Sequence, residues 1–327
     1  SSKALSHRLS RLRQPNTAGS PVQPRADDAP EPGRNVVLDC GWGRLLFART
    51  FEDDATLLKT LKDEAPRSRD IAFYVGEPHV LLSRAPQEIF LDPSHTFRLD
   101  LSTYRPGGRR PRGVTIRRLG VDGDAAGINA VYAACGMVQV REDFFAGERD
   151  NRPVTYFVAE DEATGEIVGT VTGIDHKRLY DDPEQGASLW CLAVHPQARQ
   201  PGIGEGLVRT LAEHFHARGL AYVDLSVLHD NDKAIGLYEK LGFRRVPLFS
   251  VKRKNAINEK FFAQPVESYE ALNPYARLIV DEALRRGIHV EVTDAEGGFF
   301  RLAHGGRTIH CRESLSDLTS SVAMSIC

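Results

Sequence analysis

Arg199, Gly202 and Gly204 stand between an apolar run and an amphipathic one, and that spacing makes an anion site. The segment reads Leu192-Ala193-Val194-His195-Pro196-Gln197-Ala198-Arg199-Gln200-Pro201-Gly202-Ile203-Gly204-Glu205-Gly206-Leu207-Val208. The opening N–H groups of a helix lack internal partners, and the helix dipole adds partial positive charge at that end. Glycines let a pyrophosphate come close to the backbone, and Arg199 adds a formal charge. A glycine turn ahead of a helix is common. The joint occurrence of apolar strand, His-Pro turn, Arg-x-x-Gly-x-Gly and amphipathic helix is far more specific. Pro201 has no N–H to give, so such a cradle rests on Gln200, Gly202, Ile203, Gly204 and their neighbours. Glu205 suits the helix dipole but sits in mild conflict with an anion.

A second constellation follows in Asp230-Asn231-Asp232-Lys233-Ala234-Ile235-Gly236-Leu237-Tyr238-Glu239-Lys240-Leu241-Gly242-Phe243. Asn231 falls at a strand-to-helix junction, and Ala234 and Leu237 share a helical face by i, i+3 spacing. Tyr238 carries a phenol that can protonate a leaving group. The plain alternative is a packing aromatic. The stretch Gly186-Ala187-Ser188-Leu189-Trp190 holds no carboxylate. A general base therefore stays open among Asp175, His176, Asp181, Asp182, Glu184 and Asp143, each of which also reads as a surface residue. His195, before a proline, reads as structural, and Cys191 as core.

The elements that must position these groups form an α/β pattern over 114–250. Strands are expected at Val114–Arg118, Val154–Ala159, Ile167–Ile174, Leu189–Val194, Tyr222–Leu228 and Phe243–Val251. Helices are expected at Asp122–Cys135, Gly204–Arg218 and Asp232–Leu241. Residues 34–112 read as an α/β accessory region and linker. Its strands are Val36–Leu38, Leu45–Phe47, Ile71–Val75 and Phe97–Leu101, and its helix Asp53–Glu64 is capped by Asp53 or Asp54. Residues 1–33, rich in proline and poor in apolar groups, read as a disordered tail. Beyond 255 come a helix at Tyr275–Arg286, strands at His289–Thr293, Phe299–Ala303 and Thr308–Arg312, and a helical stretch at Ser314–Ser325. No internal repeat stands out.

The 327 residues carry a net charge of −2 and are 41% hydrophobic, values of a globular protein with no polyanion partner expected, nucleic acid included. Five scattered cysteines without CxxC spacing give no metal site and no disulfide framework, which fits a reducing cytoplasm. No apolar run is long enough to span a bilayer, so no membrane association is expected. The sequence opens at Ser1 with no methionine, as a trimmed chain would.

The two constellations together resemble the acetyl-CoA-binding and catalytic motifs of the GNAT superfamily, the second matching Asn-x-x-Ala-x-x-Leu-Tyr-x-x-x-Gly-Phe. The resemblance extends over 114–250, including strand order, and sets a GNAT domain at 113–254. It implies a mixed, mostly antiparallel sheet flanked by helices, with acetyl-CoA as cosubstrate. The strand ahead of the loop would be splayed from its neighbour, so that Leu192, Ala193 and Val194 meet the pantetheine arm. Arg199, Gln200, Gly202, Ile203, Gly204 and Glu205 would surround the pyrophosphate. Asn231 would bond the cofactor arm, and Tyr238 would act as general acid. The segment from Ala276 to Leu302, with Cys311 to Ser325, resembles the leading part of ATP-grasp ligases of the cyanophycin-synthetase type. The order of the two resembles the N-acetylglutaminylglutamine synthetase family, which joins an acetyltransferase to an amino-acid ligase and makes an osmolyte. On that resemblance residues 255–327 are a linker and a partial ATP-grasp segment. The nucleotide-binding body of the ligase would belong to the full-length chain. The implied activity is acetylation of the α-amine of glutamine or a glutamine dipeptide. The alternative is a non-catalytic acyl-CoA-binding domain that regulates the ligase. Homo-oligomerisation stays open.

Overall fold

The computed structural model describes residues 33–108, 110–120, 123–148, 153–262 and 266–316. The tail expected at 1–33, except Gly33, and most of the helix expected at Ser314–Ser325 lie outside them.

The N-terminal part runs β1 (Val37–Asp39), β2 (Arg44–Phe47), α1 (Asp54–Lys62), β3 (Ile71–Val75), α2 (Pro78–Arg84), β4 (Ile89–Leu91) and β5 (Ser94–Asp100). The middle runs β6 (Val114–Arg118), α3 (Asp124–Ala134), α4 (Glu142–Glu148), β7 (Val154–Asp161), β8 (Ile167–Asp175), α5 (His176–Tyr180) and β9 (Gly186–Val194). It continues through α6 (Ile203–Ala217), β10 (Tyr222–Leu228), α7 (Asp232–Lys240), β11 (Arg244–Val246) and β12 (Phe249–Arg253). The last part holds α8 (Glu259–Phe262), α9 (Pro274–Arg285) and strands β13 (His289–Asp294), β14 (Phe299–His304), β15 (Arg307–Arg312) and β16 (Leu315–Ser316).

Local chemistry explains most boundaries. Asp53 caps α1 by accepting from Thr56 N at 2.7 Å, which decides between the two expected caps. In α6 the buried Ile203, Leu207, Val208, Leu211, Ala212 and Phe215 form one apolar stripe at helical spacing. That stripe packs on a sheet ordered β11-β5-β10-β9-β8-β7-β6. Strands β8 and β9 are buried over most of their length, so they read as continuous apolar runs rather than alternating ones. The C-terminal strands form their own antiparallel sheet over α9, around Ala276, Val280, Val290 and Phe300. Leu315–Ser316 is a strand on that sheet and not the start of a helix.

The sheet topology departs from the linear reading. The expected closing strand Phe243–Val251 is two strands parted by Pro247. The first, β11, stays in the seven-stranded sheet. The second, β12, leaves it and sits between β3 and β4 in a five-stranded sheet ordered β1-β2-β3-β12-β4. In return β5, from the N-terminal part, sits between β10 and β11. The two parts therefore exchange their last strands. They also share an order: strand, helix, short strand, Xaa-Pro crossing, exchanged strand, with Asp92-Pro93 and Val246-Pro247 at the crossings. An internal correspondence is present after all, carried by topology and only thinly by residue identity.

Buried polar contacts join the exchanged parts. Asp224 of β10 accepts from Arg98 of β5 at 2.7 and 2.8 Å and from the Tyr74 hydroxyl of β3 at 2.7 Å. Arg49, stacked 4.1 Å over the Tyr74 ring, reaches Asp182 at 3.0 Å and Glu184 at 3.2 Å.

Candidate active site

The parallel pair β9–β10 makes the site. Their register runs from Gly186 opposite Tyr222 to Leu189 opposite Leu225 and then stops. Past that point β9 continues to Val194 and β10 to Leu228 without pairing to one another. Leu192 and Val194, half-buried, border the opening, while Ala193 turns into the core. Within β9 the register with β8 shifts between Thr170 and Thr172, and Cys191 takes φ 50, a left-handed value rare for a residue with a side chain. Backbone strain of this kind persists where its surroundings enforce it, and it sits at the root of the splay.

The loop after β9 is ordered by its own side chains. His195 donates its N–H to Val168 O at 2.8 Å, and its Nδ1 accepts from Gln197 N at 3.1 Å, a structural role as expected. Gly202 caps α6 with φ 83, a left-handed turn, and a Cβ there would meet nothing within 4 Å. At Gly204 an added Cβ would touch only Val194 Cγ2 at 3.7 Å. The N-terminus of α6 therefore faces open space beside the splay, which is room for an anion on its free N–H groups. Arg199 is exposed, and Gln200 is tied through Nε2 to Asp161 Oδ2 at 2.9 Å. Glu205 is neutralised by Arg209 at 3.0 Å and Lys240 at 2.9 Å, and the Lys240 contact holds its carboxyl below the usual range. The conflict between Glu205 and an anion is thereby removed.

On the opposite wall Asn231 caps α7: its Oδ1 accepts from Ala234 N at 3.2 Å, which leaves the amide NH2 as its remaining donor. Ala234 and Leu237 pack partly buried on the same core. Tyr238, 5% exposed, packs 5.6 Å from the Phe243 ring, and burial pushes its phenol up to about 12. A phenol so shifted stays protonated at neutral pH and is competent as an acid.

Four of the six candidate bases, Asp175, His176, Asp182 and Glu184, are spent on structure. Asp175 caps α5 by accepting from Arg178 N at 3.0 Å. His176 is fully buried, 2.7 Å from Ser188 Oγ, which also accepts from Trp190 Nε1 at 2.8 Å. Burial, then the Arg49 charge, pushes its pKa well below the ordinary histidine value. Asp182 and Glu184 pair with Arg49, Asp181 ends α5 on the surface, and Asp143 is exposed beside Arg141. Burial pushes the Cys191 thiol up to about 12, which leaves no thiolate for nucleophilic chemistry near neutral pH. Among the described residues no group of three or more His, Cys, Asp or Glu side chains is placed to hold a metal. No helix among them is long and apolar enough to cross a membrane.

Residues missed from sequence also border this region. Arg69, Asp92, Ser250 and Lys252 come together only because β12 crosses into the N-terminal sheet. Their separation in the chain left no spacing to detect.

Residues 128–243 match the model of the acetyltransferase (GNAT) family, so this part of the chain is a GNAT acetyltransferase domain. Among solved structures, a tandem GNAT protein of the clavulanic acid biosynthesis pathway is 16% identical over 57% of this chain and 65% of its own, with TM-score 0.42. A GCN5-related N-acetyltransferase from Sphaerobacter thermophilus is 19% identical over 57% of this chain and 60% of its own, with TM-score 0.42. One from Kribbella flavida is 13% identical over 67% of this chain and 88% of its own, with TM-score 0.43. The chain thus spans under two thirds of the first two.

Proposed function

We propose that this GNAT domain moves an acetyl group from acetyl-CoA to the α-amine of glutamine or a glutamine dipeptide. The observation that carries the transfer is the splay of β9 from β10, ending at the open glycine-capped N-terminus of α6. An anion beside Gly202 and Gly204 meets free N–H groups and the positive end of a 15-residue helix. The unpaired edge of β9 offers backbone groups to an extended amide-bearing arm.

Acetyl-CoA, when bound, supplies an acetyl carbon activated as a thioester. The chain's residues then hold the acceptor nitrogen in line, which is the larger part of the rate gain. A C–N bond forms as the C–S bond breaks, and the electron pair leaves on sulfur. The Tyr238 phenol gives its proton to that thiolate, the new amide nitrogen gives up its surplus proton to solvent, and the phenol is reprotonated from solvent. A strong base is not required. An α-amine has an ordinary pKa of about 8, so roughly a tenth is already neutral at pH 7. That accounts for a site in which Asp175, Asp182 and Glu184 are committed to other partners.

The choice of a glutamine acceptor rests on the resemblance of the C-terminal stretch to amino-acid ligases, a stretch with its own core of Leu272, Ala276, Val280 and Phe300. A regulatory, non-catalytic domain is favoured only by the lack of a free carboxylate at the splay. Release of CoA thiol from acetyl-CoA, screened across glutamine, its dipeptide and unrelated amines, tests the reading. Binding of acetyl-CoA with no thiol release on any amine would replace transfer with regulation.

A further inference from the structure

Ile71 and Phe73 of β3 form the floor of one face of the five-stranded sheet. Phe73 meets Trp190 of β9 edge to face, with ring centroids 4.8 Å apart. The register of β12 sets Lys252 opposite Ile71 on that face, with Ser250 two residues away on the same side, while Val251 enters the core beneath. Lys252 Nζ lies 2.7 Å from Asp92 Oδ1, and both residues are buried. Arg69 stands just ahead of β3, with its N–H on Trp42 O at 3.0 Å and its Nη2 on Ile257 O at 3.2 Å.

Three polar atoms here are buried without a hydrogen-bond partner among the described residues: Arg69 Nε, Ser250 Oγ and Asp92 Oδ1, the last in ion-pair contact with Lys252 Nζ. Ser250 is only 2% exposed, so its hydroxyl is denied solvent as well. A buried donor left unmade carries an uncompensated desolvation cost, so such atoms mark a place where something polar belongs. The charge identifies what. Arg69, Lys252 and Lys260 surround the Phe261 ring at 5.8, 5.4 and 5.0 Å. Asp92 is in ion-pair contact with Lys252. Glu64, nearby, is engaged by Asp70 N and Asn255 Nδ2. Even with both carboxylates counted, one positive charge is in surplus.

The location separates this anion from a cofactor phosphate. Phe73 on this face packs on Trp190, the residue before Cys191 at the root of the splay. The phosphate cradle lies beyond the far end of β9, which alone carries the chain about 10 Å from Cys191 to Val194. We infer that Arg69, Lys252 and Ser250 hold the carboxylate of the amine acceptor, which makes the acceptor an amino acid or short peptide with a free carboxylate. In an amino acid one carbon joins amine and carboxylate, so a carboxylate fixed here keeps the amine near the root of the splay. Polyamines and aminoglycosides, which carry no carboxylate, are disfavoured by the same surplus positive charge. This inference rests on the acetyl-transfer reading for its location, and its test separates the two.

Initial rates are measured on the full chain with glutamine and with its α-carboxamide, for the protein and for Arg69→Gln and Ser250→Ala. The unaltered protein is expected to prefer glutamine at least tenfold in kcat/KM. Arg69→Gln should raise KM for glutamine about 10- to 100-fold, the range of a lost charge-assisted hydrogen bond, with KM for acetyl-CoA unchanged. Ser250→Ala, which removes one small hydroxyl, should shift it the same way by less, and it guards against misfolding of the arginine variant. Calorimetric titration of glutamine without acetyl-CoA gives a readout independent of turnover. Glutamine binding that is lost in Arg69→Gln upholds the carboxylate site even when no amine is acetylated. The inference is overturned if the protein uses glutamine and its α-carboxamide equally. It is also overturned if both variants keep KM or Kd for glutamine within twofold, or if glutamine fails to bind while carboxylate-free amines turn over.

Discussion

Tyr238 is 5% exposed, and burial alone raises the pKa of its phenol. A general acid gives up its proton only in the transition state, so removing the hydroxyl alters turnover and leaves ground-state binding alone. Tyr238→Phe should lower kcat about 100-fold, the lower end of general acid catalysis, with acetyl-CoA affinity unchanged. A packing tyrosine would lose neither rate nor stability on that change. Turnover within twofold of the original, with chemistry rate-limiting, removes Tyr238 from the mechanism. The sign of the pH dependence follows. The raised value keeps the acid form present until pH approaches 12, so kcat has no descending limb caused by this group below pH 10. The rate with glutamine should rise through pH 8 as its α-amine loses its proton. A fall between pH 8 and 10, in protein shown to be folded, would contradict this. Tyr238, Gly202 and Gly204 stood out as candidates because their motifs are contiguous. The commitment of Asp182 and Glu184 to Arg49 did not, because that partner is more than 130 residues away in the chain.

Among the elements, α6 and α7 carry the two walls of the site, and their caps separate folding from binding. At Gly204 a Cβ meets only ordinary contact with Val194, so Gly204→Val should fold with a nearly unchanged Tm. It should still weaken acetyl-CoA by at least about tenfold by filling the approach to the N–H groups. Equal affinity in a titration would show that the anion lies elsewhere. At Asn231 the oxygen caps α7 and the NH2 remains free. Asn231→Ser keeps an oxygen for the cap, whereas Asn231→Ala forfeits it, at about 1 kcal/mol. If the NH2 holds the cofactor arm, both variants raise KM for acetyl-CoA, and only the alanine one lowers Tm. The length and type of α6, α7, β10 and β6 could be read from apolar spacing and caps. Helices α2, α4 and α5, at five to seven residues each, were too short to show a period.

At the scale of the whole molecule, the exchange of β5 and β12 makes the seven-stranded sheet depend on residues ahead of the matched family segment. Residues 113–254 expressed alone would leave a gap between β10 and β11 and expose Val223 and Leu225 beside an open strand edge. That fragment should be insoluble or molten by near-ultraviolet circular dichroism, and co-expression with residues 33–112 should restore it. A stable, cooperatively melting 113–254 fragment would show that the exchange is dispensable. The same joint predicts that Asp224→Asn costs about 3–5 kcal/mol, because it leaves Arg98 with an uncompensated charge beside a buried amide. A denaturation midpoint close to that of the unaltered chain would argue against the Arg98–Asp224–Tyr74 contact as the clasp.

The sequence by itself determined the strand, glycine-rich turn and helix N-terminus around Gly202, since they lie within one short stretch of chain and interact locally. It also determined the element types wherever an apolar period ran for two turns or more. Only the tertiary structure decided which strands share a sheet. Strand pairing satisfies backbone groups that are the same in every residue, and the two Xaa-Pro crossings at 92–93 and 246–247 carry no mark of which sheet comes next. That decision brought Arg69, Asp92, Ser250 and Lys252 to one face and closed the seven-stranded sheet with a strand from outside its own segment.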